Sequence, residues 1–142
     1  ARLTIVTAEL PEFASTNRNI IVNNNLSYTN FDGQDTLGLI AQGYFRVGLK
    51  SADNLTIDAA VIAKNGGLVR NFYPASCGSE YKRSQLNFLG AQASNLRGYF
   101  FNSGSGYLNQ LTTYDGNLLY YPPPFFPLTS NQYMMLSWEE VP

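Results

Sequence analysis

The chain contains no histidine and only one cysteine, Cys77. Without histidine, every Ser-His-Asp or Cys-His catalytic arrangement is excluded. A lone thiol cannot complete a zinc ligand set, so Cys/His metal sites are excluded as well. No internal disulfide framework can form. Cys77 reads as a free buried thiol, the alternatives being an exposed thiol or half of a bridge to another chain. Charge is also scarce. Charged residues are 13% of 142, and the net charge is −1, where a typical domain carries about twice that share. Nothing basic invites nucleic acid or an anionic membrane. No apolar run approaches the ~20 residues that cross a bilayer. Helix signals are nearly absent, and Ala91-Gln92-Ala93-Ser94-Asn95-Leu96 reads as strand. The chain begins at Ala1-Arg2-Leu3 without a signal peptide. The expectation is that an anchor and an export signal lie upstream, leaving this segment no membrane contact.

What the chain has is a weak internal repeat. An apolar triplet recurs as Leu3-Thr4-Ile5, Ile20-Ile21-Val22, Leu37-Gly38-Leu39, Leu55-Thr56-Ile57 and Leu86-Asn87-Phe88. The first members are 17, 17, 18 and 31 residues apart. Units this short cannot bury their own apolar face and must stack on neighbours. The pattern predicts an all-β fold, a short right-handed parallel β-helix (β-solenoid) of about five coils. Period-2 alternation turns Leu3, Ile20, Leu37, Leu55 and Leu86 into one inward column and Ile5, Val22, Leu39, Ile57 and Phe88 into a second. Second strands are expected at Leu26-Ser27-Tyr28, Phe45-Arg46-Val47 and Val61-Ile62-Ala63. The polar surface is built from Asn, Ser, Thr, Gln and Tyr. That suits an extracellular β protein, and equally a stack in which like charges would repel along a ladder.

The chain divides as a single domain, 1–142. Residues 1–64 hold regular coils. Residues 65–84 read as an insertion, opened by Asn65-Gly66-Gly67 and carrying the loop chemistry of Tyr73-Pro74-Ala75-Ser76-Cys77-Gly78-Ser79. Residues 85–98 form a further coil, and 99–142 a proline- and aromatic-rich C-terminal covering segment. Pro122, Pro123 and Pro124 force an extended backbone without ladder donors. Their flanking aromatics, Phe125 and Phe126, are expected to be buried with Trp138 against the body. A docking surface for a partner is the alternative. Tyr133-Met134-Met135-Leu136-Ser137-Trp138 reads as one more strand.

Candidate chemistry is thin. A polysaccharide hydrolase needs two carboxylates ~5–10 Å apart in one cleft. In the repeat alignment Asp58 is the only acid of its column, matched by Val6, Asn23, Ile40 and Leu89. Asp35 and Asp53 fall near one corner and are the best pair, although both also suit turn caps. Asn30, Asp32 and Asp35 gather oxygens around Gly33 as a calcium loop does. An Asx turn explains the same residues, and the spacing is not that of an EF-hand. No cofactor motif is present. Tyr28, Tyr44, Tyr73, Tyr107, Tyr120 and Tyr121 fall in turns or at strand ends. They are candidates for stacking sugars or anchoring a protein partner.

The order of blocks carries a resemblance. Asp35-Thr36-Leu37-Gly38-Leu39-Ile40-Ala41-Gln42 leads into Leu55-Thr56-Ile57-Asp58-Ala59-Ala60-Val61-Ile62-Ala63. Leu86-Asn87-Phe88-Leu89-Gly90 follows, then Tyr114-Asp115-Gly116-Asn117-Leu118-Leu119-Tyr120 with its prolines, then Ser137-Trp138-Glu139-Glu140. This order resembles the C-terminal region of bacterial type IV pilus-associated proteins of the PilX-like kind. The resemblance implies a β-solenoid outside the cell after a pilin-like helix, with no catalytic motif. It implies a non-enzymatic role in display, adhesion or pilus assembly, with pilus components, another surface protein or a glycan as partners. The alternatives are a carbohydrate-binding or carbohydrate-active β-helix protein and a pilus-tip DNA receptor. The last would need a basic patch drawn from Arg18, Arg46, Lys64, Arg70 or Arg97.

Overall fold

A computed structural model describes residues 1–127. The fold is all-β. Its strands are β1 (Arg2–Thr7), β2 (Ile20–Val22), β3 (Thr36–Ala41), β4 (Phe45–Val47), β5 (Asn54–Ala63), β6 (Leu68–Arg70), β7 (Lys82–Ser94), β8 (Phe101–Asn102) and β9 (Ser105–Tyr114). The chain passes back and forth between two sheets. The first has the order β1-β3-β5-β7-β9-β8 and the second β2-β4-β6. Every pairing is parallel except the short β8–β9 contact.

Strand β5 shows why these residues choose this structure. Leu55, Ile57, Ala59, Val61 and Ala63 alternate with other residues and are at most 1% exposed. They point between the sheets, where Phe45, Val47 and Leu68 of the second sheet meet Leu39, Leu86 and Phe88 of the first. Each large side chain buried there contributes roughly 1.5–3 kcal/mol.

The paired columns are those of the sequence in part. Leu3 pairs with Leu37, Ile5 with Leu39, Leu55 with Leu86 and Ile57 with Phe88. Four corrections follow. Ile20-Ile21-Val22 is in the second sheet, paired with Phe45-Arg46-Val47. The 17-residue spacing is therefore the step from one sheet to the other. Leu37 is not level with Leu55 either, because Gly38 pairs with Ala60. The first half of β5 takes Leu26 as its neighbour instead, bridged to Ile57. Val61-Ile62-Ala63 continues β5 rather than forming a second strand. Leu3 and Ile5, expected inward and buried, are 53% and 45% exposed. Among the described residues their strand is the edge of its sheet, and the column ends there.

The insertion is shorter than 65–84. Gly66, Gly67 and all of β6 are buried. The excursion occupies 71–81, with short 3-10 turns at Ala75–Cys77 and Ser79–Tyr81. Cys77 lies on it as an exposed free thiol, not a buried one. Its turn has no buried residue, so nothing in the loop draws the sulfur inward. The regular pattern does not end at residue 99 either. Tyr99 bridges Val69 of the second sheet, and β9 adds a fifth parallel strand to the first.

Candidate functional site

Two excursions meet on the outer face of the first sheet. One is the loop 27–35, where the chain leaves the sheet after Leu26 and rejoins it at Thr36. The other is the segment 115–127, which runs from the end of β9 back to β1 and β3. Arg2 Nη2 donates to the Pro122 carbonyl at 2.5 Å, and the Thr4 hydroxyl donates to the Pro124 carbonyl. Pro123 and Phe126 rest on Gly38, where a Cβ would approach them to 2.9 and 2.8 Å. The excursions touch each other as well. The Tyr121 ring lies against Gly33, and Asn117 Nδ2 donates to the Phe31 carbonyl at 3.5 Å. This cover explains why outward residues of a sheet are buried: Thr36 and Ala60 are each 2% exposed and Asp58 is 3%.

A cavity of about 180 Å³ opens at the corner, lined by Ala1, Leu3, Tyr28, Asp35, Thr36 and Asp58 among others. Its carboxylates are largely engaged by the backbone. Asp58 sits where the strand at Leu26 breaks away. Its Oδ2 accepts the Tyr28 amide at 3.0 Å, and its own amide donates to the Leu26 carbonyl at 2.7 Å. Burial pushes the Asp58 carboxyl up, and the negative Asp115 adds to the rise, against the lowering effect of the Tyr28 amide. Asp115, itself buried, accepts the Asn117 amide at 3.0 Å. Asp35 Oδ2 accepts the Asn30 amide at 2.8 Å, and its Oδ1 accepts from the Ala1 backbone nitrogen. Burial also raises the Tyr28 hydroxyl above the ordinary phenol value.

Asp35 and Asp53 do not form a pair. Their partners differ: Asp35 faces Asn30 and Ala1, whereas Asp53 faces Ser84. Asp53 is exposed and caps the start of β7. It accepts from the Ser84 amide at 3.0 Å and the Ser84 hydroxyl at 2.7 Å. Those bonds hold its carboxyl below the usual range. In the loop proposed for calcium, Asp32 accepts the Gln34 amide at 3.0 Å, closing an Asx turn. Asn30 is exposed and uses its amide on Asp35. Among the described residues no group of three or more acids, histidines or cysteines is placed to hold a metal.

The tyrosines separate into surface and core. Tyr120 and Tyr121 are 77% and 51% exposed. Tyr44 and Tyr73 are half-buried, with the Arg46 and Arg70 guanidinium carbons 4.7 and 5.0 Å from their ring centres. Tyr28 is half-buried and tilted against Phe31, centroids 6.0 Å apart. Tyr107, expected at the surface, is fully buried. Its hydroxyl donates to the Ala52 carbonyl at 2.6 Å and lies 2.8 Å from Ser51 Oγ. A buried hydroxyl is admissible there because those two partners satisfy it. Phe125 departs from expectation in the opposite sense: it is fully exposed, while Phe126 is half-buried on Gly38. Trp138 lies outside the described residues. Thr36, Asp58 and Asp115 were not joined by the sequence reading. The one available signal was an acid inside the apolar run Leu55–Ala63. Among the described residues no helix is long and apolar enough to cross a membrane. No protein family, no curated protein and no solved structure matches the chain.

Proposed function

We propose that this chain is a short parallel β-solenoid acting as a non-enzymatic extracellular domain of a type IV pilus-associated surface protein. It serves display, adhesion or pilus assembly. The observation that carries the reading is the passage of the chain between two parallel sheets, strand upon strand in one direction. Stacked strands make a rigid surface that presents side chains in rows. The block order that resembles PilX-like proteins and the sparse charge support the same reading. The capped carboxylates at Asp35, Asp58 and Asp115 each have a local structural role, which supports a binding module over a hydrolase.

The adhesive element in this reading is the aromatic group Tyr120, Tyr121 and Phe125, exposed on the segment that covers the sheet. Such rings stack on the apolar face of a sugar or anchor a protein. A DNA-receptor role has less support, because four of the five basic side chains named for a patch are engaged elsewhere, Arg97 alone being exposed with no side-chain partner among the described residues. Arg18 pairs with Glu9 and Lys64 with Glu12. Arg70 is buried, and Arg46 lies over Tyr44. Immunogold labelling of the producing cell tests the reading. Label on surface filaments is the expected result, and label confined to the cytoplasm overturns it. A glycan array with the native chain and a Tyr120→Ala/Tyr121→Ala variant then tests the ligand class. Loss of a specific signal in the variant supports glycan adhesion, whereas an unchanged signal removes those rings from the site.

A further inference from the structure

Asp58 borders two cavities. One is the corner cavity of about 180 Å³, which it shares with Tyr28 and Thr36. The other holds about 210 Å³ and is lined by Asp58, Asn87, Phe88, Leu89, Leu111 and Thr113. The register accounts for the second. Asp58 pairs with Leu89 and Leu89 with Thr113, while Asn87 pairs with Leu111. Two rows of side chains therefore run side by side across β5, β7 and β9 on the outer face. At the ordinary strand separation the row from Asp58 to Thr113 spans about 10 Å.

The polar groups along these cavities are of both kinds. Asp58 spends Oδ2 on the Tyr28 amide, so among the described residues its Oδ1 remains as an acceptor. Asn87 Oδ1 accepts from Gln85 Nε2 at 3.0 Å, which leaves the Nδ2 hydrogens to donate. Thr36 is almost wholly buried, and its hydroxyl has no partner. A buried hydroxyl left unpaired destabilises the fold, and a ligand that bonds it recovers that loss. Asp35, the other carboxylate at the corner, is engaged at both oxygens. Among the described residues no Lys or Arg lines either cavity. That composition selects the ligand. An anion finds no cation here. An ammonium group only donates and leaves the Asn87 amide unpaired. A divalent cation needs more oxygens than Asp58 and Thr36 supply. A sugar hydroxyl both donates and accepts, and a pyranose ring adds an apolar face suited to Leu89 and Leu111.

We propose that this face binds a neutral glycan, with one ring to each side of Asp58. Asp58 Oδ1 accepts from sugar hydroxyls, the Thr36 hydroxyl pairs with the ring at the corner, and Asn87 Nδ2 donates to the ring over Leu89 and Leu111. The site is separate from the exposed rings Tyr120 and Tyr121, and it stands whether or not the chain belongs to a pilus.

Titration of the isotope-labelled full chain with maltose, cellobiose and lactose, followed by amide chemical shifts, tests the site. Expected is saturable binding of at least one sugar, with the Tyr28, Asp58, Asn87 and Thr113 amides moving together. Asp58→Asn and Asn87→Ala should each weaken that binding about tenfold or more. Butylammonium and acetate at the same concentrations should leave those amides unmoved. No saturable shift with any of these sugars at tens of millimolar overturns the proposal. So do shifts confined to 117–126, which place the sugar on the exposed aromatic rings instead. Tighter binding of butylammonium than of every sugar, or an affinity unchanged in both variants, overturns it too. If Asp58→Asn fails to fold, Asn87→Ala decides: weakened binding supports the site, and unchanged affinity refutes it.

Discussion

Arg70 is 1% exposed, and its hydrogen bonds go to carbonyls rather than to a carboxylate. Its guanidinium donates to Tyr81 at 3.1 Å, Leu49 at 3.2 Å and Glu80 at 2.7 Å. Burial pushes its proton affinity down, and the Tyr107 and Tyr73 side chains push it back up. One side chain thus ties the end of the 71–81 excursion to the turn after β4. Arg70→Met keeps bulk but leaves the Glu80 carbonyl without its donor, while the Tyr81 carbonyl keeps the Ser105 hydroxyl and the Leu49 carbonyl keeps Arg83, and relief of the buried charge offsets only part of that cost. A loss of about 2–4 kcal/mol in urea unfolding is expected. Asp58 gives a second prediction. Its raised value means that the native state holds the proton to higher pH than the unfolded chain does. Its contribution therefore favours folding below the ordinary aspartate value and is lost as pH rises through the raised value. Asp58→Asn keeps an acceptor for the Tyr28 amide and removes the titration. The variant should melt above the native protein at neutral pH, and the gap should close towards about pH 3–4. A gap that is constant with pH would refute the assignment.

At the scale of elements, the covering segment and the sheet are fitted to each other at Gly38. A side chain there would meet Phe126, Pro123 and the Thr4 hydroxyl at 2.8 to 3.0 Å. The contacts on one side belong to a segment that can lift, while the strand itself has two paired neighbours. Gly38→Val should therefore displace 122–126 without dissolving the sheet. Limited proteolysis should cut the variant faster within 115–127, with the far-ultraviolet circular dichroism nearly unchanged. Gly90 differs in kind. Its φ is +149°, and a Cβ would fall 1.9 Å from the Ala59 carbonyl oxygen. That clash is with the backbone of the neighbouring strand, so no flexible group can yield.

For the whole molecule, stability rests on one core between the two sheets. Ile57 is wholly buried at its centre, paired with Phe88 and bridged to Leu26. Ile57→Asp places a charge there without a partner. A loss of more than about 4 kcal/mol is expected, enough to abolish a cooperative melting transition in a chain of this size. A variant that still unfolds cooperatively near the native temperature would mean that the sheets are stable apart.

The alternation of Leu55, Ile57, Ala59, Val61 and Ala63 was legible from the sequence, because the period-2 geometry of a strand acts residue by residue. So were the Leu55–Leu86 and Ile57–Phe88 columns, because the two triplets carry the same apolar alternation. The two-sheet arrangement was not legible. A triplet such as Ile20-Ile21-Val22 carries the same apolar signal in either sheet, and nothing local distinguishes a step across the core from a full turn around it. The burial of Asp58 and Thr36 was equally hidden. Both occupy outward positions, and they are buried only because residues 27–35 and 115–127, remote in sequence, close over them. Local propensity thus determined the strands and much of their inward faces. The register between remote strands, and the cover over the outer face, were decided by tertiary packing, since only the folded chain brings those segments into contact.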